Sequence, residues 1–164
     1  MRTEFDMKIN TMAMYRFLMN HTYRGMNGLF SIFAGIGLIA YYVQSVKDTG
    51  SSSSLIFLVF GVLFLVYQPW TLYSKALKQT KLNPVFKHPL HYVLTEETLE
   101  VQQAEASNQI AWDNVWMVRE TAQSILVYTG QRNAFIWVKA QLQNEKEVRT
   151  ILEKVMDPKR LKLK

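Results

Sequence analysis

Two long stretches without a charged residue constrain this chain more than any other feature of its sequence. They cover residues 25–46 and 49–74, which are 22 and 26 residues long. A helix that crosses the hydrocarbon core of a bilayer needs about 20 mostly apolar residues. In a chain of 164 residues, two such helices would leave little polar surface to enclose them in a soluble core. The sequence therefore predicts a transmembrane hairpin with spans at about 26–46 and 55–74.

The charges around these stretches predict their orientation. The loop between them, residues 47–54, is neutral overall. The flanking cations are Arg24 before the first stretch and Lys75, Lys78 and Lys81 after the second. Because Lys and Arg are enriched in cytoplasmic loops, we expect a multi-pass protein of the cell membrane with both termini in the cytoplasm. The same four side chains either contact anionic lipid headgroups or act only as a topology signal.

The net charge of +6 does not indicate nucleic-acid binding. Residues 1–81 carry eight Lys and Arg against three Asp and Glu, whereas residues 82–164 carry eleven against ten. The positive excess therefore surrounds the apolar stretches, where anionic headgroups attract it. We expect membrane lipids as partners and no nucleic acid.

Small residues predict where the two spans meet. Ser31 and Gly35 are four residues apart in the first span, and Gly61 lies in the middle of the second. Small side chains let helix backbones approach closely, so these three residues are expected to form helix–helix contacts. Glycine is also common in membrane helices generally, and the sequence does not separate the two interpretations. Pro69 is expected to kink or end the second span.

Short strand patterns dominate the rest of the chain. Residues 5–9 alternate apolar and charged side chains, and Asn10 or Thr11 is placed to cap a following helix. Further strands are predicted at about 91–95, 98–103, 108–112, 115–120, 124–129 and 133–138. Seven strands of this kind fit two packed antiparallel sheets. We therefore expect the N-terminal strand to join the C-terminal sheet across the hairpin.

The last predicted element is an amphipathic helix. Its apolar stripe consists of Val148, Ile151, Leu152 and Val155, at the spacing i, i+3, i+4 and i+7. Asn144 and Glu147 have the spacing of a capping box, and Glu145 can pair with Arg149. Pro158 is expected to end the helix. The basic and apolar tail that follows, residues 159–164, is either a second lipid contact or disordered.

These elements define the expected fold class. It is a membrane α+β protein, in which a two-helix transmembrane hairpin carries a cytoplasmic PH-like β-roll capped by a C-terminal α-helix. The expected divisions are residues 1–24 for the first strand and helix, 25–74 for the hairpin, 75–90 for a basic linker and 91–164 for the PH-like domain.

Several segments in this order resemble a known family. They are residues 91–100 (HYVLTEETLE), residues 110–115 (IAWDNV), Glu120 and the terminal helix. The sequence resembles the YcxB-like family of bacterial membrane proteins, and this resemblance implies two spans followed by a PH-like domain. Many relatives have a Pro-Lys pair near the last strand, where this chain has Val138 and Lys139. The resemblance implies a fold and little about biochemical activity.

Trp112 and Asp113 form the most conspicuous local motif. We interpret it as a packed corner whose carboxylate caps backbone N–H groups, with ligand contact as the alternative. His88 and His91 lack the further ligands that a metal site needs. The chain has no cysteine, and no nucleophile–base set or phosphate-binding glycine loop is recognisable. We therefore expect neither a cofactor nor enzymatic activity.

Two functions follow as hypotheses. The first is a non-enzymatic interaction protein that presents the PH-like domain at the membrane to a protein partner. The alternative is a lipid-sensing or envelope-protection protein, for example one that gives immunity to membrane-active bacteriocins. The sequence leaves self-association open in both cases.

Overall fold

The computed structural model describes residues 1–49, 54–103, 106–131 and 133–163. Within these ranges, the α-helices are α1 Thr11–Arg24, α2 Met26–Thr49, α3 Leu55–Leu82 and α4 Glu145–Val155. The strands are β1 Arg2–Met7, β2 Leu90–Thr95, β3 Thr98–Gln103, β4 Ala106–Ala111, β5 Met117–Glu120, β6 Ser124–Tyr128, β7 Ala134–Val138 and β8 Leu161–Lys162. The chain divides into two units, one of Met1–Met14 with Gln79–Lys164 and one of Tyr15–Lys78.

The first unit, which we call the β module, contains two four-stranded sheets. Their strand orders are β1-β2-β3-β4 and β7-β6-β5-β8. Strand β1 pairs antiparallel with β2, with Phe5 opposite Tyr92 and Met7 opposite Leu90. The predicted pairing of the N-terminal strand with the C-terminal sheet is therefore present. One face of β1 is buried and the other exposed, which is the alternation that its sequence predicts.

Aromatic side chains hold the two sheets together. The ring of Phe5 lies 5.5 Å from that of Tyr92 in its own sheet and 5.3 Å from that of Trp137 in the other. Tyr92 also meets the rings of Phe135 and Trp137 at 5.7 Å in each case. Burial raises the pKa of the Tyr92 hydroxyl well above its usual range. The N-terminal strand therefore contributes a central residue of the module core.

Helix α4 supplies a third apolar surface. Val148, Ile151 and Leu152 are completely buried, as their spacing predicts. The predicted pair of Arg149 and Glu145 is confirmed, with an N–O distance of 2.9 Å. The capping prediction for Asn144 is wrong, because its side chain forms no cap hydrogen bond. Its backbone oxygen instead accepts a hydrogen bond from the Val148 N–H at 3.1 Å.

Among the described residues, two helices are long and apolar enough to cross a membrane, Gly28–Asp48 and Leu55–Leu82, and most of their length belongs to the second unit. Large apolar side chains on both helices are exposed. A water-exposed surface of that kind is unusual for a soluble domain, whereas a bilayer would cover it. The structure is thus consistent with insertion in a membrane.

Helix α3 continues through Pro69 to Leu82, so the predicted end of the helix at Pro69 is wrong. Residues 75–82, which were expected to begin the basic linker, are helical. A proline removes one backbone donor, and membrane helices tolerate that loss. The helix ends only where Asn83 precedes Pro84, and there the Asn83 side chain accepts a hydrogen bond from the Val85 N–H at 3.0 Å.

The basic tail is also partly structured, contrary to the disordered alternative. Strand β8 pairs in parallel with β5, with Val118 opposite Leu161 and Arg119 opposite Lys162. The turn before it is closed by Asp157, whose carboxylate accepts a hydrogen bond from the Lys159 N–H at 2.7 Å. This local turn redirects the chain after α4 to the free edge of β5.

Candidate functional site: a cleft at the turn between β2 and β3

Two open depressions of ≈ 560 and ≈ 300 Å³ share the turn residues Glu96 and Glu97. We call the combined surface the turn cleft. The charged side chains that line it are Arg2, Glu96, Glu97, Glu100, Asp113 and Lys154. It brings together the turn and the Trp112-Asp113 motif, which are separate in the sequence.

Hydrogen bonds to Thr95 hold the two motifs in place. The Thr95 hydroxyl accepts from the Thr98 N–H at 3.0 Å and so stabilises the turn. The Trp112 indole N–H donates to the Thr95 carbonyl at 3.0 Å. Because Trp112 is buried, this bond fixes the corner that follows β4 against the β2–β3 turn. The cleft therefore rests on ordered, packed residues.

Hydrogen bonds stabilise the ionised form of two carboxylates of the cleft, Glu96 and Glu100. Glu96 lies 2.7 Å from the Lys154 ammonium and 2.8 Å from the Met1 amino group, and these hydrogen bonds lower its pKa to about 2. Glu100 accepts hydrogen bonds from Ser107 and Gln102, which also lower its pKa. The lining contains four carboxylates against three cationic groups, which are Arg2, Lys154 and the Met1 amino group. The cleft therefore carries a small negative excess although the chain as a whole is basic.

The structure locates both residues of the predicted Trp112-Asp113 corner. Trp112 is buried, as the packing interpretation requires. Asp113 is exposed, and its backbone carbonyl accepts a hydrogen bond of 3.4 Å from Arg160. Among the described residues, no backbone N–H donates to the Asp113 carboxylate. That carboxylate therefore faces the cleft as a free charge.

The residues predicted for the spans are arranged as follows. Gly35 and Gly61 lie against each other, since a Cβ built on Gly35 would be 3.0 Å from the Gly61 carbonyl oxygen. The Ser31 hydroxyl donates to the Gln68 side-chain oxygen at 3.0 Å, so Ser31 also contacts the other helix, through a partner that was not predicted. Lys75, Lys78 and Lys81 are exposed and share one face of α3, and Arg24 is exposed at the end of α1. Their contact with lipid stays a prediction.

The histidines do not converge. His91 lies 2.8 Å from Asp6, across the β1–β2 pair. In the described part of the chain, no three His, Asp or Glu side chains are placed to hold a metal ion.

A buried carboxylate elsewhere in the module has a role that the sequence did not reveal. Glu120, at the end of β5, has a side chain only 3% exposed and pairs with both Lys139 and Arg149. Glu120 and then Glu145 raise the pKa of Arg149. The cluster joins β5 and the residue after β7 to α4. Strand alternation cannot identify such a residue, because its partners come from distant segments.

Replacing Glu120 by Gln is expected to lower the free energy of unfolding by about 1–3 kcal/mol, because two cations lose their buried partner. Lys139 and Arg149 are 21% and 25% exposed, so water recovers part of the loss. Denaturant unfolding of the full chain in detergent, followed by tryptophan fluorescence, measures the change. Glu153→Gln, at an exposed position on α4, is the matched control. Equal stability of the two variants would contradict the assignment.

Taken together, two helices that are long and apolar enough to cross a membrane and a module of two sheets with a closing helix define an α+β protein with two candidate membrane spans. The resemblance found in the sequence is confirmed: the family model described as YcxB-like protein matches residues 94–153. That segment runs from β2 into α4 and includes most of the turn cleft and the Glu120 cluster. No curated protein and no solved structure matches the chain.

Proposed function

We propose that this protein is a non-enzymatic, membrane-tethered interaction protein. Helices α2 and α3 anchor it, and the β module is a PH-like domain that binds a protein partner at the cytoplasmic face. Two packed sheets, antiparallel except for the β5–β8 pair, and a C-terminal helix support the PH-like assignment. Tethering raises the local concentration of the module near other membrane proteins.

The observation that carries this proposal is the charge of the turn cleft. Glu97 and Asp113 are exposed carboxylates beside the buried Trp112. A cationic segment of a protein complements such a surface, whereas anionic headgroups are repelled by it. The acidic cleft therefore favours a protein partner over a lipid at this site.

A lipid-sensing or envelope-protection function is the second candidate. The exposed row of Lys75, Lys78 and Lys81 on α3 favours it, because each cation near an anionic leaflet adds about 1 kcal/mol of attraction. A strain that lacks the protein should then be more sensitive to membrane-active peptides. Unchanged sensitivity counts against this function.

The partner can be sought by in-cell crosslinking and gentle purification of the tagged full-length protein from its own membranes. Unchanged protein should capture a reproducible partner, and charge reversal by Glu97→Lys or Asp113→Lys should reduce its yield by about tenfold. Glu153→Lys makes the same charge change outside the cleft and should leave the yield unchanged. If all three variants capture the partner equally, the cleft is not its binding site.

A further inference from the structure

Arg119 is a buried cation for which the described part of the chain supplies no ion-pair partner. The residue is only 8% exposed, and its Nε atom is buried without a hydrogen-bond partner. One terminal nitrogen lies 3.9 Å from the Met117 sulfur, which is a weak acceptor. A guanidinium keeps its charge in a protein, so burial without an anion is costly. Among the described residues, no carboxylate lies within ion-pair distance of Arg119.

The described surroundings of Arg119 are apolar. It lies opposite Leu126 of β6, and Leu126 lies opposite Ile136 of β7. Both neighbours are almost completely buried and apolar. Glu120, the next residue in β5, projects from the opposite face of the sheet because side chains alternate along a strand. The described strand residues on the Arg119 face include no Asp or Glu.

A second cation lies directly beside Arg119. Lys162 is its partner on β8, and paired residues of neighbouring strands project from the same face. Lys162 is exposed, and β8 forms the edge of its sheet. Adjacent like charges destabilise a strand pair unless something neutralises them. Arg119 and Lys162 are therefore neighbouring cations, and the Nε atom of Arg119 has no hydrogen-bond partner. Such a pair is suited to bind an anion.

We propose that Arg119 and Lys162 bind the phosphate group of an anionic ligand at the edge of the β5–β8 pair. The guanidinium offers a planar fork of donors that matches phosphate oxygens, and the ammonium adds a flexible point charge. A phosphate placed beside Lys162 compensates the guanidinium charge of Arg119 and removes the repulsion between the cations. The source is either a lipid headgroup or a free phosphate compound. This site goes beyond the proposed protein partner and does not involve the turn cleft or the lysines of α3.

The test uses the full chain in maltoside micelles, which contain no phosphate. Inorganic phosphate, or phosphatidylglycerol added to the micelles, is expected to raise the melting midpoint in a saturable way, since a ligand that binds only the folded state stabilises it. Chloride at equal ionic strength controls for screening. Lys162→Gln should weaken the response by about tenfold, and Lys146→Gln, at an exposed position on α4, should respond like the unchanged chain.

Arg119→Met gives a second, independent result. Methionine keeps the straight stem and removes the charge, so this variant should melt no lower than the unchanged chain in phosphate-free micelles and should not respond to phosphate. A response to inorganic phosphate supports a site open to soluble ligands, and a response to phosphatidylglycerol alone supports a lipid headgroup. The proposal is overturned if neither ligand shifts the midpoint, or if Lys162→Gln and Arg119→Met respond as fully as Lys146→Gln.

Discussion

Replacing Phe5 by Ala is expected to lower the free energy of unfolding of the β module by about 3–5 kcal/mol. The Phe5 ring is buried between Tyr92 and Trp137, so its removal leaves a cavity between the two sheets. This is a large fraction of the stability of a small domain, which is typically about 5–15 kcal/mol. Thermal or denaturant unfolding of the full chain, read from tryptophan fluorescence, measures the loss.

Glu4→Ala is the matched control, because Glu4 is the exposed neighbour of Phe5 on the same strand. Deletion of residues 1–10 should have a greater effect, since it removes all of β1 and one edge of its sheet. Residues 79–164 should then be cleaved rapidly by proteases. If their protease resistance is unchanged after the deletion, β1 is not an integral strand of the module.

Replacing Gly35 by Val is expected to separate α2 from α3. A Cβ at this position would lie 2.7 Å from Leu65 Cγ and 3.0 Å from the Gly61 carbonyl oxygen, and the second contact involves backbone that cannot rotate away. Overpacking of this kind costs about 1–3 kcal/mol, which corresponds to about 5- to 150-fold in the equilibrium between packed and separated helices. Gly37→Val is the control in the same helix, because a Cβ at Gly37 meets nothing within 4 Å.

Cysteine crosslinking in membranes reports this separation. The chain has no cysteine, so Ser31→Cys with Gln68→Cys introduces one defined pair on facing positions of the two helices. The crosslinked fraction should fall strongly with Gly35→Val and stay constant with Gly37→Val. Equal crosslinking in the two backgrounds would show that Gly35 is not at the helix contact.

Local pattern was enough to predict most of the elements. The strands at 98–103 and 124–129, for example, agree with β3 and β6 to within one residue, because alternating or continuous apolar runs reflect burial directly. The stripe on α4 and the cap at Asn10, whose side chain accepts from the Ala13 N–H at 2.8 Å, are similarly local. Helix boundaries were predicted less well where a proline was given too much weight. The second span was predicted to end near residue 74, but α3 continues through Pro69 to Leu82.

The candidate sites could be predicted from the sequence only in part. The Glu96-Glu97 turn and the Trp112-Asp113 motif were each recognised, but nothing in the sequence shows that they line one acidic cleft. Glu120 was noticed only through the family resemblance. Arg119 was not noticed at all, because an arginine in a strand normally projects into water.

The sequence by itself determined the two apolar helices, the order of the strands and the amphipathic closing helix, since each depends on residues that are neighbours along the chain. The sequence also predicted that β1 joins the C-terminal sheet. Only the tertiary structure decided that its partner is β2, with Phe5 opposite Tyr92, and that the basic tail forms β8 beside β5. It also decided which charges are paired and which are left without a partner. The physical reason is that burial and electrostatic pairing depend on distances in space between segments far apart in the chain, which periodicity does not encode.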